Sequence, residues 1–169
     1  GQLPRAMNTL ADWQLKYAED KDVARATLRG IMQRFPNTGA ELLTAQRLAR
    51  MDAFIEYNDA RDAGQVVSDC LKQLEQHPLD NDTREKLACV YFERYDQPKQ
   101  AWTELNTLIQ RPFQQSRDVC RWLNIAADWH VKLENSAGAR GAMQQIIALF
   151  PNTALAETAA SRLTKWKDR

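Results

Sequence analysis

Two tryptophan–lysine pairs are the residues of this sequence best suited to contact a partner. Trp13 is followed three residues later by Lys16, and Trp129 is followed at the same spacing by Lys132. Residues three apart are neighbours on a helix surface, so each pair would offer an aromatic contact area beside a positive charge for a partner's carboxylate. The alternative is that each indole packs between helices while the lysine extends into water.

Other polar and aromatic residues near the two pairs extend this candidate surface. Tyr17 follows the first pair, and Arg121 and Asn124 precede the second. The candidate partner-binding set is therefore Trp13, Lys16, Tyr17, Arg121, Asn124, Trp129 and Lys132.

The remaining reactive side chains do not form a recognisable catalytic or metal motif. His130 and Glu134 have a spacing that can chelate a metal, but the other histidine is distant in the sequence, and a solvated polar face is the simpler interpretation. Glu85 and Glu93 would suit paired-carboxylate chemistry in a groove, yet acidic residues on a helix are mostly solvated. HExxH, GxSxG and phosphate-binding glycine loops do not occur. We expect no catalytic residues, metal, cofactor or enzymatic activity.

Composition and charge are those of a globular chain with nearly balanced charges. Of the 169 residues, 44% are hydrophobic, and 23 basic residues stand against 22 acidic ones. Because Lys and Arg are spread along the chain, we expect no nucleic-acid partner. No apolar run reaches the roughly 18 residues that a membrane-spanning helix needs. Cys70, Cys89 and Cys120 lack CxxC spacing and are expected to pack as core thiols.

The elements that position these residues belong to an internal repeat. Phe-Pro-Asn-Thr at 35–38 recurs at 150–153, an offset of 115 residues (150 − 35), and Arg47-Leu48 recurs at the same offset. Ala-Asp-Trp at 11–13 recurs at 127–129, an offset of 116 residues (127 − 11), so the turn between the two blocks is one residue shorter in the second copy. An offset of about three units of 38 residues is typical of a helical repeat protein.

Prolines and helical apolar spacing divide the chain into hairpins. Pro36, Pro78, Pro112 and Pro151 each follow an amphipathic stretch whose apolar residues recur at i, i+3, i+4 and i+7. No stretch alternates with the period of two that a strand requires. We predict an all-α fold, a right-handed superhelical array of about four helix-turn-helix hairpins and a C-terminal capping helix in one domain over residues 1–169. The predicted hairpins cover approximately residues 5–36, 38–78, 81–112 and 116–151, and the capping helix covers residues 153–167.

Residues at the predicted helix ends agree with this division. Thr38 and Thr153 are placed to cap the helix after each Phe-Pro-Asn, and Ser116 is placed to cap the helix that follows it. Pro98 occupies a position where the first turn of a helix tolerates proline.

These features together resemble the tetratricopeptide repeat family across nearly the whole chain. The small residue that the family places twelve positions before its closing proline is matched, at or within one residue, by Ala24, Val66, Ala101 and Ala139. The resemblance implies that a protein or peptide binds along the concave face made by the first helices, and it implies no common enzymatic activity. The Lys and Asn set of the family's peptide clamps is not assembled here, so recognition of a carboxy-terminal tail is not supported.

The Phe-Pro-Asn-Thr turns and the Arg-Leu pairs that follow are similar to tetratricopeptide proteins of Gram-negative envelopes. In that group the domain often follows a signal peptide, a lipid anchor or a membrane helix. Because the sequence begins at Gly1 without a methionine, we expect that a tag, signal peptide or anchor was removed. The leading hypothesis is a protein- or peptide-binding scaffold in the periplasm or anchored to a membrane, with the cytoplasm as the alternative location.

The alternative function is structural self-assembly without a peptide ligand. Leu3, Trp102 and Trp166 are the apolar residues through which copies of the chain would associate in that case.

Overall fold

The fold is all-α in the part of the chain that the computed structural model describes, which comprises residues 2–17, 20–53 and 62–167. These ranges contain helices and no strand, as the sequence predicts. The helices are α1 (Gln2–Tyr17), α2 (Lys21–Arg34), α3 (Gly39–Asp52), α4 (Ala63–Gln76), α5 (Asn81–Glu93), α6 (Pro98–Gln110), α7 (Ser116–Lys132), α8 (Ser136–Leu149) and α9 (Ala154–Lys167).

The helices fall into two compact units, residues 1–104 and residues 105–169, and α6 spans the division. In the first unit α2 packs against both α1 and α3, and α4 packs against α5. In the second unit α8 packs against both α7 and α9. Packing between consecutive helices is the arrangement that the predicted hairpins require.

Each closing proline lies two residues beyond the end of a helix. The last helical residues before the four prolines are Arg34, Gln76, Gln110 and Leu149. A proline at this position cannot continue the helix, because it has no amide hydrogen to donate. The predicted ends of the second helices are thereby confirmed.

The two Phe-Pro-Asn-Thr turns have nearly the same backbone conformation. Phe35 has φ −129° and ψ 54°, and Phe150 has φ −127° and ψ 52°. Asn37 and Asn152 both have positive φ, 55° and 60° respectively, in a region that asparagine tolerates better than most residues. The sequence duplication is therefore a duplication of local structure.

The threonine of each turn caps the next helix, as predicted. The hydroxyl of Thr38 donates to the carbonyl of Phe35 at 2.6 Å and accepts from the amide of Glu41 at 3.2 Å. The hydroxyl of Thr153 makes the equivalent bonds, to the Phe150 carbonyl at 2.6 Å and from the Ala156 amide at 3.3 Å. One side chain thus ends one helix and begins the next.

The other two predictions at helix starts have different outcomes. Pro98 is the first residue of α6, as expected. The prediction that Ser116 caps α7 is wrong, because α7 already begins at Ser116 and its N-cap is Gln115, whose side chain makes no capping hydrogen bond.

Apolar side chains from consecutive helices form the core of each unit. In the first unit one buried cluster joins α1, α2 and α3 through Ala11, Leu28, Ile31 and Leu48. Another joins α4 and α5 through residues that include Val66, Cys70 and Leu87. In the second unit Ala127, Met143 and Ile146 are fully buried. Of the cysteines, Cys70 and Cys120 are buried and Cys89 is half-buried, and all three are free thiols.

Polar side chains connect α3 to the hairpin that follows it within the first unit. The side-chain oxygen of Gln46 accepts from the Asn81 amide at 2.9 Å. The buried side chain of Gln73 donates to the Ala49 carbonyl at 3.4 Å. Arg50 donates to Asp82 at 3.0 Å. These contacts join α3 to α4 and α5.

We expect Thr38→Ala and Thr153→Ala each to lower the free energy of unfolding by about 1 kcal/mol, the usual contribution of a threonine N-cap. Thr38→Ser and Thr153→Ser keep the hydroxyl and should have a much smaller effect. Urea titrations followed by circular dichroism measure the four values. Equal losses for the alanine and serine variants would show that the hydroxyl is not what stabilises the turn.

Candidate partner-binding surface

One side of α1 presents large apolar side chains to solvent. Leu3, Leu10 and Trp13 are 54%, 51% and 64% exposed. Seven residues are close to two helical turns and three residues are nearly one, so the three side chains share one side of the helix. Lys16 is also exposed, one turn after Trp13. We call Leu3, Leu10 and Trp13 the α1 face, and Lys16 flanks it next to Trp13.

The matching tryptophan of α7 is in a different environment. Trp129 follows the same Ala-Asp dipeptide as Trp13, but it is only 2% exposed. Its neighbour Lys132 is exposed. The sequence suggests both indoles as contact residues. In the structure the indole of Trp13 is exposed, whereas the indole of Trp129 lies in the interior.

The other residues of the candidate set are placed as follows. The side chain of Arg121 is exposed and lies 3.6 Å from Asp118 in an ion pair. The side-chain amide of Asn124 donates to the Cys120 carbonyl at 2.9 Å. The side chain of Tyr17 lies outside the residues that the structure describes. Trp13 and Lys16 belong to the first unit, whereas Arg121, Asn124, Trp129 and Lys132 belong to the second.

In both units an arginine bonds to an asparagine and an aspartate of an earlier helix. We call this contact the arginine brace. In the first unit Arg47 of α3 donates to the carboxylate of Asp12 and, at 3.4 Å, to the side-chain oxygen of Asn8. This contact complements the apolar packing of α1, α2 and α3.

The second unit repeats the brace with the equivalent residues. Arg162 of α9 donates to the carboxylate of Asp128 and, at 2.8 Å, to the side-chain oxygen of Asn124. Asn124 therefore has an internal role. Sequence reasoning noted the recurrence of the arginine but missed its partners, although both the asparagine and the aspartate recur at the offset of 116 residues.

A pocket of about 340 Å³ lies in the second unit near the end of α7. Its lining combines apolar side chains, a hydroxyl and a guanidinium: Val131, Ser136, Ala139, Arg140 and Trp166. The guanidinium of Arg162 lies 4.9 Å from the centre of the Trp166 ring, a cation–π distance. Trp166 therefore contacts the arginine of the brace and also lines the pocket.

In the first unit the arginine equivalent to Arg140 is Arg25, and it belongs to an ion-pair junction. The carboxylate of Asp52 accepts from Arg25 at 2.8 Å through one oxygen, and its other oxygen lies 3.3 Å from the imidazole of His77. Arg25 also contacts Asp22 at 2.9 Å. The hydrogen bond and charge of Asp52 are the main cause of a raised pKa of the Arg25 guanidinium.

His130 is held at the junction of α7 and α8. Asn135 caps α8 by accepting from the Gly138 amide at 2.9 Å, and its amide nitrogen lies 3.1 Å from Nδ1 of His130. Partial burial lowers the pKa of His130 below its ordinary value of 6.5. A Cβ atom at Gly138 would lie 2.5 Å from the same Nδ1, so glycine provides the space for this contact.

Neither a metal-ligand cluster nor a membrane-spanning helix occurs among the residues that the structure describes. No three side chains of the ligand types His, Cys, Asp and Glu gather into a possible metal site among them. In the same part of the chain, every helix falls short of the length and apolarity needed to cross a bilayer.

Residues 6–38 comprise most of α1, the whole of α2 and the turn that follows. Residues 6–38 match the tetratricopeptide repeat family model. This segment of the chain is similar to one tetratricopeptide repeat. Repeats of this family generally mediate protein–protein interactions, and the family is generally not catalytic. No curated protein matches the sequence significantly.

Among solved structures, the chain is similar to a tetratricopeptide repeat protein from Parabacteroides merdae ATCC 43184. The two sequences are 16% identical and the TM-score is 0.45. The match covers 99% of this chain and 61% of the length of the solved one.

We expect the stability of the protein to decrease as the pH falls below about 6.5 in part because of His130. Its pKa is lower in the folded state than in the unfolded state, so the unfolded state binds more protons in this range. Urea midpoints at pH 5 and pH 7 should therefore differ less in His130→Gln than in the unmodified protein. An unchanged difference in the variant would rule out this contribution.

Proposed function

We propose that this protein is an interaction scaffold that binds another protein through the α1 face. The observation that supports the proposal best is the contrast between the two tryptophans of the duplicated Ala-Asp-Trp: Trp129 is 2% exposed and Trp13 is 64% exposed. An aromatic residue at helical spacing is usually part of a core. This explanation accounts for Trp129, which is buried, but not for Trp13, which is exposed.

The α1 face has the composition of a protein contact. Leu3, Leu10 and Trp13 offer apolar area along one side of a helix, and contiguous exposed patches of this kind mark interaction sites. Tryptophan is enriched among residues that dominate binding energy, because a large rigid ring buries much area at little entropic cost. Lys16 adds a positive charge at the end of the face, which favours a partner with a carboxylate there.

The remaining candidate residues have a secondary place in this proposal. Arg121 and Lys132 are exposed on α7, so either could lie at the edge of a partner interface. Asn124 and Trp129 contribute through the positions of the helices, because one is bonded to Arg162 and the other is buried.

An anchored location in a bacterial envelope is a further part of the proposal. It rests on the similarity of the Phe-Pro-Asn-Thr turns and Arg-Leu pairs to envelope tetratricopeptide proteins. Fractionation of the native organism, with the protein detected by antibody in the membrane, periplasmic and cytoplasmic fractions, tests it. Recovery in the cytoplasm alone would rule it out.

Self-assembly is the second candidate function, and the exposure of Leu3 favours it. An apolar α1 face can pack against a second copy as well as against another protein, and Trp102 and Trp166 are half-exposed. Light scattering over a range of protein concentrations distinguishes the two functions. A strict monomer at high concentration would rule out self-assembly.

We expect Trp13→Ala and Leu10→Ser to weaken capture of the partner by tenfold or more, since central aromatic contacts often contribute about 2 kcal/mol or more. Immobilised protein is incubated with an envelope fraction of the native organism, and the captured proteins are quantified by mass spectrometry. Leu149→Ser is the matched control, because Leu149 is also 50% exposed but belongs to α8. Capture that is specific yet equal in all variants would rule out the α1 face as the binding surface, and no specific capture would count against the scaffold function itself.

A further inference from the structure

The duplication places an arginine at the same position of both second helices. Arg25 of α2 and Arg140 of α8 are 115 residues apart, the offset that also relates the two Phe-Pro-Asn-Thr turns. In the first unit the guanidinium of Arg25 is bound by two carboxylates of the chain, Asp52 at 2.8 Å and Asp22 at 2.9 Å. The first copy thus shows what an arginine at this position binds.

At the equivalent positions the second copy has neither carboxylate. At the same offset the position of Asp52 is taken by Lys167 and the position of Asp22 by Ala137. Arg140 is exposed, and it makes no hydrogen bond or ion pair with any residue in the described ranges of the chain. The arginine is common to both blocks, whereas one of the two acids of the first block corresponds to a lysine in the second and the other to an alanine.

The surroundings of Arg140 form a pocket that suits a side chain with both charge and apolar surface. Ser136, Val131 and Trp166 line the pocket together with Arg140. Arginine binds carboxylates through two parallel hydrogen bonds, and a hydroxyl can donate to the same group. One guanidinium and one hydroxyl match a carboxylate better than a phosphate, which is usually held by several cations or backbone amides.

We propose that this pocket binds a carboxylate side chain of a protein partner, with an apolar residue next to that acid packing against Trp166. The partner's carboxylate takes the place that Asp52 has beside Arg25 in the first unit. This inference deepens the scaffold function proposed above and rests on it, but it concerns α8 and α9 instead of the α1 face.

A peptide titration with a matched amide tests the proposal. The probes are acetyl-Leu-Glu-amide and acetyl-Leu-Gln-amide, added to the nitrogen-15-labelled protein and followed through the Trp166 indole and the Ser136 and Arg140 amide signals. The Trp166 signal is assigned with Trp166→Phe. We expect saturable shifts with the glutamate peptide and affinity lower by about tenfold with the glutamine peptide, because the charge-assisted hydrogen bonds are lost.

Two variants test the role of Arg140 without depending on a loss of folding. Arg140→Gln removes the cation and should weaken binding of the glutamate peptide by about tenfold. Ala137→Asp restores the carboxylate that Asp22 supplies in the first copy, so it should compete with the peptide, and an acid in the first turn of α8 also favours the helix. Arg29→Gln, at an exposed arginine of α2, is the control and should bind like the unmodified protein.

Four results would overturn the proposal. Equal shifts with the two peptides would show that the pocket does not select a carboxylate, and full affinity in Arg140→Gln would show that the arginine does not bind it. Self-association that is lost in Arg140→Gln would identify a second copy of the chain as the source of the acid. If the partner captured from the envelope fraction is retained by Arg140→Gln and Ala137→Asp, the scaffold function stands and this pocket is not part of it.

Discussion

The turn Phe-Pro-Asn-Thr is the constraint on which both ends of this protein depend. Its proline ends a helix, its asparagine reverses the chain through a positive φ, and its threonine begins the next helix with a hydroxyl that bonds to both sides of the turn. Because three consecutive residues determine where the chain stops, bends and restarts, α3 returns beside α1 and α9 returns beside α7. The arginine braces become possible only after this return, since each must reach an aspartate that lies 34 or 35 residues earlier in the sequence.

Local features of the sequence predict most of the fold. Helical spacing, the closing prolines and the capping threonines depend on residues within one or two turns, so the helix ends and the turns are correct within a few residues. Ser116 shows the limit, because whether a serine lies just before or just inside a helix depends on a shift of one residue. The exposure of Trp13 and the burial of Trp129 could not be predicted, because identical tripeptides differ only in what the rest of the chain packs against them.

Within the candidate sites, the sequence alone also did not predict which charged side chains form pairs. The side chains of Arg47 and Asp12 meet only after the turn has formed, and the recurrence of both residues was the signal that was available. Arg25 and Arg140 are a second case of equivalent residues in the two copies. In a duplicated chain the two copies can be compared with each other, because equivalent residues can have different contacts in each copy. Where the two copies differ at the partners but not at the arginine, the difference points to a change in what that arginine binds.

The junction at Asp52 affects how the first unit comes apart. Its carboxylate contacts Arg25 from α2 and His77 at the end of α4, so one charge is shared by two hairpins. Repeat proteins unfold as linked modules whose cooperativity is determined by the contacts between neighbours. Because the carboxylate of Asp52 contacts both hairpins, unfolding one hairpin while the next stays folded costs additional free energy. The first five helices should therefore lose their structure in a single step.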